Sequence, residues 1–190
     1  IVARTVAAQG RCIVTRVSQG QAEEIRERCR DEGFQADHLE VPRALVASRV
    51  PVPEKTGGIV AILTAGTADL PAAEEARLIA EEMGCEVRTA YDVGAAGIHR
   101  LFPALKSVLD AHVFIVAAGR EGTLPAVVAG LVDRPVIGLP VSSGYGYMGA
   151  GRAALASMLQ SCSVLAVVNI DAGFTAGAFA ARVASMVAGP

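Results

Sequence analysis

From residue 58 onward the chain repeats one unit: a short, mostly apolar strand-like run, a glycine-framed loop, then a stretch with helical spacing. The strand-like runs are "GIVAILT" (58–64), which is apolar up to its closing Thr64, "CEVRTAYDV" (85–93), "HVFIVAAG" (112–119), "PVIGLPV" (135–141) and "VLAVVNID" (164–171). Between and after them, helices are expected over 71–84, 99–111, 124–132, 149–161 and 173–187. Pro71 sits in the first turn of its helix and Gly84 closes it, the usual asymmetry of helix ends. Strands that are apolar throughout are buried on both faces, and alternation with helices means parallel βαβ units. The expected fold class is therefore α/β, a doubly wound, parallel, five-stranded flavodoxin-like sheet. Its ligand belongs beyond the carboxyl ends of the strands, where strand order reverses.

The chain ahead of this repeat is different. "RCIVTRV" (11–17) reads as a strand, "QGQAEEIRERCRDEG" (19–33) as a polar-faced helix, and "VPRALVASRV" (41–50) as a second strand. Together they suggest a small βαβ-like piece over 1–55, joined through the Pro- and Gly-rich "PVPEKTGG" to a main domain over 56–190. "IVARTVAAQG" reads as the last turns of a helix closed by Gly10, which implies more chain before Ile1.

Composition removes several function classes. Lys and Arg number 17 against 19 Asp and Glu, aromatic residues make up 4%, and Trp is absent. Neither a basic stripe nor a base-stacking platform is available, so a nucleic-acid partner is not expected. No apolar run has the length of a membrane span, so no membrane partner is expected either. Cys12, Cys29, Cys85 and Cys162 match neither a metal spacing nor a disulfide framework, which fits reduced thiols in a cytoplasmic protein.

The five strand ends supply the candidate ligand residues. "TAGTADLP" (64–71) offers Gly66 for close backbone approach, with Thr67 and Asp69 at a helix start where N–H groups can hold an anion. Helix capping alone also explains those two residue types. The loop has neither the Walker A nor the G-x-G-x-x-G pattern. "YDVGAAGIHRL" (91–101) brings Asp92, which can accept ribose hydroxyls, together with His99 and Arg100 for a phosphate or carboxylate. "AAGREGTLP" (117–125) holds Gly119, Arg120 and Glu121 between apolar segments. An unpartnered carboxylate is costly in apolar surroundings, so Glu121 is a candidate proton acceptor with a raised pKa; a solvated loop is the alternative. "PVSSGYGYMGAG" (140–151), with Ser142, reads as a loop able to close over a ligand, and "NIDAGFTAG" (169–177) contributes Asp171. Cys162, set between Ser161 and Ser163, reads as exposed at a chain corner; from the residues alone it is either filler or a nucleophile.

These loops in this order resemble the 5-aminoimidazole ribonucleotide carboxylase/mutase superfamily, and more closely its sister family of pyridinium-3,5-biscarboxylic acid mononucleotide synthases. "TAGTADLPAAEEA", "YDVGAAGIHRL", "AAGREGTLPAVVAGLVDRPVIGLPVSSGYG", "QSC" and "VVNIDAGFTAG" carry the second resemblance, over 58 to about 180. The chain departs from the purine enzymes in its loops. Thr123 stands where their "AAHLP" loop has histidine, Ile98 or a neighbour replaces the serine of "SAH", and Ala65 replaces the first serine of "GSxSD".

The resemblance implies carboxylation of the pyridine ring of nicotinic acid adenine dinucleotide, with CO2 or bicarbonate as co-substrate, and hydrolysis of the phosphoanhydride to release AMP. This is the first step of nickel-pincer nucleotide synthesis for lactate racemase. It makes Cys162 the nucleophile and Glu121 the base. Magnesium is a possible aid, reached through phosphates by Asp69 or Asp171, although neither belongs to a metal cluster. Cys162 precedes the last strand and Glu121 follows the third, so a parallel sheet sets them at opposite ends, roughly 17–20 Å apart. A neighbouring subunit is therefore expected to supply the thiol. The Ala/Gly-rich helices of 149–187 would pack between subunits, and the resemblance implies an octamer. A purine-type carboxylase or mutase, or a non-catalytic nucleotide-binding module, are the alternatives.

Overall fold

A computed structural model describes residues 1–189 as two compact units, Ile1–Pro53 and the chain from Glu54 onward. The first unit holds helix α1 (Val2–Gln9), strand β1 (Arg11–Val14), helix α2 (Gln19–Asp31) and strands β2 (Gln35–Leu39) and β3 (Ala44–Ser48). Ser18 opens α2 through a reciprocal capping box with Gln21, which satisfies N–H groups the first turn leaves orphaned. Val6, Val17, Ala22, Cys29, Leu45 and Ala47 form the unit's own core.

This unit is not the βαβ piece expected from the sequence. Its sheet runs β1-β3-β2 with both pairings antiparallel, and β2 was not anticipated. "QADHL" lacks an apolar run, and its residues are alternately exposed and half-buried. An edge strand with one wet face can carry such polar residues, which hides it from a search for apolar runs.

The second unit follows the repeat. Strands β4 (Ile59–Thr64), β5 (Glu86–Ala90), β6 (Val113–Ala118), β7 (Val136–Pro140) and β8 (Ala166–Val167) pair in parallel in the order β5-β4-β6-β7-β8. Helices α3 (Leu70–Glu82), α4 (Leu101–Lys106), α5 (Thr123–Ala129), α6 (Arg152–Leu159) and α7 (Gly173–Ala188) follow successive strands. This is the doubly wound, flavodoxin-like sheet expected from the apolar runs.

Alternate residues of each central strand enter different cores. Val60, Ile62, Val113 and Ile115 pack with Ala72, Ala76, Ala80 and Ala180 of α3 and α7. Ala61, Leu63, Phe114 and Val116 pack with Leu101, Leu105, Leu124 and Val128 of α4 and α5. The chain thus leaves β4 toward one face and β6, its neighbour, toward the other. The gap between those two strand ends is the switch point where an α/β sheet forms its crevice.

The Ala/Gly stripe of helix α7 packs on α3 in the same chain. A Cβ on Gly173 would lie 2.4 Å from the Ala72 carbonyl oxygen, and one on Gly177 2.4 Å from that of Ala76. Phe174, Phe179, Met186 and Val187 face outward instead. Among the described residues no helix is long and apolar enough to cross a membrane.

Candidate active site

Asp69 ends a 3₁₀ turn, Thr67–Asp69, immediately before α3, and is 4% exposed. One carboxylate oxygen, Oδ2, accepts the Gly66 N–H at 2.9 Å. The other, Oδ1, accepts the Ser143 hydroxyl at 2.8 Å. The Gly119 N–H is also directed at this carboxylate. Asp69 therefore joins the loops that follow β4, β6 and β7. Burial pushes its pKa up, the hydrogen bonds from Ser143, Gly66 and Gly119 oppose that rise, and the charge of Glu121 adds to it.

Three consecutive residues of the β7 loop meet the other two loops. Beside Ser143, a Cβ on Gly144 would fall 1.8 Å from the Gly119 carbonyl oxygen, so backbone lies directly on backbone. Beyond it, the Arg120 guanidinium stands 4.0 Å from the centroid of the Tyr145 ring, a cation–π stack. Gly119 has no more room: a Cβ there would meet Ser143 Oγ at 2.2 Å and Asp69 Oδ1 at 2.8 Å.

Glu121 follows, and the apolar enclosure expected around it is absent: its side chain is exposed. The loop leaves the sheet at Gly119, and Gly122, at φ 71°, turns the chain into α5 against the Ala154 carbonyl. Glu121 thus sits at the rim of the strand ends and not within the core.

The β5 loop is tied in through the backbone. Buried Thr64 accepts the Asp92 N–H on its hydroxyl at 3.1 Å, and the Gly94 N–H donates to the Ala65 carbonyl at 3.0 Å. Asp92 has φ 56° and pairs with Arg100 at 3.4 Å, so both expected ligand groups hold each other at a half-exposed position. His99 is exposed in the 3₁₀ segment Ala95–Arg100 that precedes α4. Beyond β8, Asp171 Oδ1 accepts the Ser142 N–H at 2.8 Å, which ties the β7 and β8 loops.

Gly66, Thr67, Asp69, Gly119, Arg120 and Ser142 thus belong to one group of touching loops, with Asp92, His99 and Arg100 on the β5 loop beside it and Asp171 on the far side. Ser143 and Tyr145 were not singled out from the sequence. Adjacent serines are alike on paper, and the path of the loop decides which one turns toward Asp69.

Cys162 is apart from this group. It is an exposed free thiol in the turn between α6 and β8. Ser163 pins that turn, with its N–H on Ser161 Oγ and its hydroxyl on the Ala126 carbonyl of α5, each at 3.0 Å. Leu159 and Val164, at 67% and 92% exposure, flank the thiol with apolar surface. In a parallel sheet this turn lies at the amino ends of the strands, opposite the carboxyl ends that carry the Glu121 loop. Of the other cysteines, Cys29 and Cys85 are buried and Cys12 is half-buried; burial pushes the Cys12 and Cys29 thiols up, away from thiolate chemistry.

The donor set does not make a magnesium cage. Oxygens of Asp69 and Asp171 already accept hydrogen bonds. Among the described residues no group of three or more His, Cys, Asp or Glu is placed to hold a metal ion.

Comparison with known proteins agrees with the fold of the second unit. The model of the AIR carboxylase family matches residues 59–188. An uncharacterized protein of Methanocaldococcus jannaschii is 56% identical over 133 residues, covering 68% of this chain and 51% of that protein. A probable N5-carboxyaminoimidazole ribonucleotide mutase of Methanothermobacter thermautotrophicus is 32% identical, over 65% of this chain and 37% of its own length. The N5-carboxyaminoimidazole ribonucleotide mutase of M. jannaschii is also 32% identical, over 67% of this chain and 80% of the mutase. The chain thus spans about half or less of the first two relatives. In fold it is similar to the crystal structure of Treponema denticola PurE, at TM-score 0.55 and 24% identity over 67% of this chain and 80% of that one.

Proposed function

The chain belongs to the AIR carboxylase family, and on that premise we propose that it carboxylates the pyridine ring of nicotinic acid adenine dinucleotide and hydrolyses the phosphoanhydride. The products are pyridinium-3,5-biscarboxylic acid mononucleotide and AMP, the opening step of nickel-pincer nucleotide synthesis. The observation that carries this reading is Cys162: an exposed free thiol on a pinned turn, flanked by exposed apolar side chains. A ring carboxylation needs such a soft, reversible nucleophile, whereas the purine-type reaction does not. The chain stands at 32% identity from the named mutases, which leaves room for a different substrate within the family. Thr123 in place of the loop histidine separates the chain from the purine enzymes again.

The chemistry follows from electron count. A pyridinium ring is too electron-poor to attack CO2. The Cys162 thiolate adds to a ring carbon and leaves a neutral, enamine-like dihydropyridine. A nucleophilic carbon of that ring forms a C–C bond to CO2, and the ring becomes an iminium cation. Glu121 removes the proton from the newly carboxylated carbon. The C–S bond then breaks with its electron pair on sulfur, which restores the aromatic cation. The net change replaces C–H by C–CO2⁻ and releases one proton. In a separate step, water cleaves the P–O–P bridge.

The thiol and the base sit at opposite strand ends of one parallel sheet, so the site is completed by a second copy of the chain, whose Cys162 turn meets the Glu121 loop of the first. The apolar flank of Leu159 and Val164 is the surface that such a contact would cover.

A second reading, an aminoimidazole ribonucleotide carboxylase or mutase, is supported by the mutases among the relatives. Incubation with nicotinic acid adenine dinucleotide and ¹³C-bicarbonate, followed by mass spectrometry, separates the two. The proposal expects a labelled dicarboxylated mononucleotide together with AMP. An unchanged dinucleotide, with turnover of the aminoimidazole ribonucleotide instead, sinks it.

A further inference from the structure

Ser143, Gly144 and Tyr145 make successive contacts with Asp69, Gly119 and Arg120, which lie on two other loops. The first contact is a hydrogen bond to a buried carboxylate, the second a backbone-on-backbone approach that only glycine permits, the third a guanidinium–aromatic stack. Each is a different kind of interaction, and together they engage every position of a three-residue segment. Behind the segment the loop closes on itself: the Ala150 N–H donates to the Gly144 carbonyl at 2.9 Å, and the Gly149 N–H to that of Gly146 at 3.1 Å.

We infer that Ser143-Gly144-Tyr145 is a clasp that fixes the direction of the Arg120–Glu121 segment, so that Ser143 and Tyr145 are positioning residues for the reaction proposed above. The inference rests on that reading for its link to catalysis, but the clasp itself rests on the three contacts. Glu121 is exposed and, among the described residues, no hydrogen bond holds its carboxylate, so its aim depends on what anchors its neighbours. Arg120, held against Tyr145, and Gly119, covered by Gly144, are the two residues just before it. Asp69 anchors the arrangement from below, since its carboxylate receives Ser143 from one loop and Gly119 from the other. The charge of Glu121, from the neighbouring loop, also acts on Asp69.

The test follows the Asp69 carboxyl by ¹³C NMR titration of the whole chain, trypsin cleavage after Arg120, and steady-state kinetics with the dinucleotide. Ser143→Ala removes a donor that lowers the Asp69 pKa, so its titration midpoint moves up. The same variant speeds cleavage after Arg120 by about tenfold, the size expected for losing a hydrogen bond to a charged group. Its loss of activity appears in kcat more than in KM, because the base is misdirected while the substrate still binds. Ser143→Thr keeps the hydroxyl and restores the midpoint. Tyr145→Ala speeds cleavage without moving the midpoint, and Tyr145→Phe, which keeps the ring, stays protected. An unchanged Asp69 midpoint and unchanged cleavage in Ser143→Ala overturn the clasp. Should the wild type fail to turn over the dinucleotide while both readouts respond as described, the proposed activity falls and the clasp stands.

Discussion

Asp69 shows how a single residue can be legible in kind and not in role. Its position after a strand and before a helix marked it as a cap or an anion-site residue. The structure puts both carboxylate oxygens to work within the chain, on donors from three loops. None of those donors is near it in sequence except Gly66, so no local pattern could reveal the arrangement. The burial has a pH consequence. Because the folded-state pKa is raised above the ordinary 3.8, the folded chain holds this proton more tightly than the unfolded chain. The resulting stability is fully present below the ordinary value and is lost as pH rises through the raised one. Asp69→Asn, which cannot ionise, lacks this dependence. Urea unfolding over a series of pH values should therefore show wild-type stability falling relative to Asp69→Asn across that window and running parallel above it. Parallel curves throughout would mean that Asp69 titrates normally. Glu121 teaches the opposite lesson: its apolar sequence neighbours suggested burial, yet the loop carries it out to the rim.

Elements with two buried faces were the legible ones. The three central strands of the second unit, β4, β6 and β7, are apolar because both faces meet helices. Strand β2 escaped because an edge strand with a wet face needs no apolar run. Strand β8 proved shorter than its apolar stretch, with only Ala166 and Val167 paired. Helix α7 was placed correctly, but sequence alone does not say which neighbour in the chain its small-residue stripe meets. Its true neighbour is α3, and the fit is close enough to test. Gly177→Val would drive side-chain carbons into the Ala76 backbone, already only 2.4 Å from where a Cβ would stand. Overpacking of this kind costs about 1–3 kcal/mol or more. Urea unfolding of Gly177→Val should show a midpoint lowered accordingly, with the slope unchanged; a wild-type midpoint would mean that the two helices separate without penalty.

At the scale of the whole molecule, parallel topology divides the proposed chemistry between the two strand ends of one sheet. The Glu121 loop follows the carboxyl end of β6, and the Cys162 turn precedes β8. A site shared between copies predicts complementation. Cys162→Ala and Glu121→Gln chains, each inactive alone, should regain activity when co-expressed, because some mixed contacts then bring an intact thiol to an intact base. No regain in co-purified mixed assemblies would place both groups in one chain.

The most direct measurement compares Cys162→Ala with the wild type on nicotinic acid adenine dinucleotide and on N5-carboxyaminoimidazole ribonucleotide, side by side. The account predicts that the wild type carboxylates only the dinucleotide and that the variant forms no carboxylated product, its fold unchanged because the thiol is exposed. Turnover of the ribonucleotide at equal rates by both proteins, with the dinucleotide untouched, would contradict it.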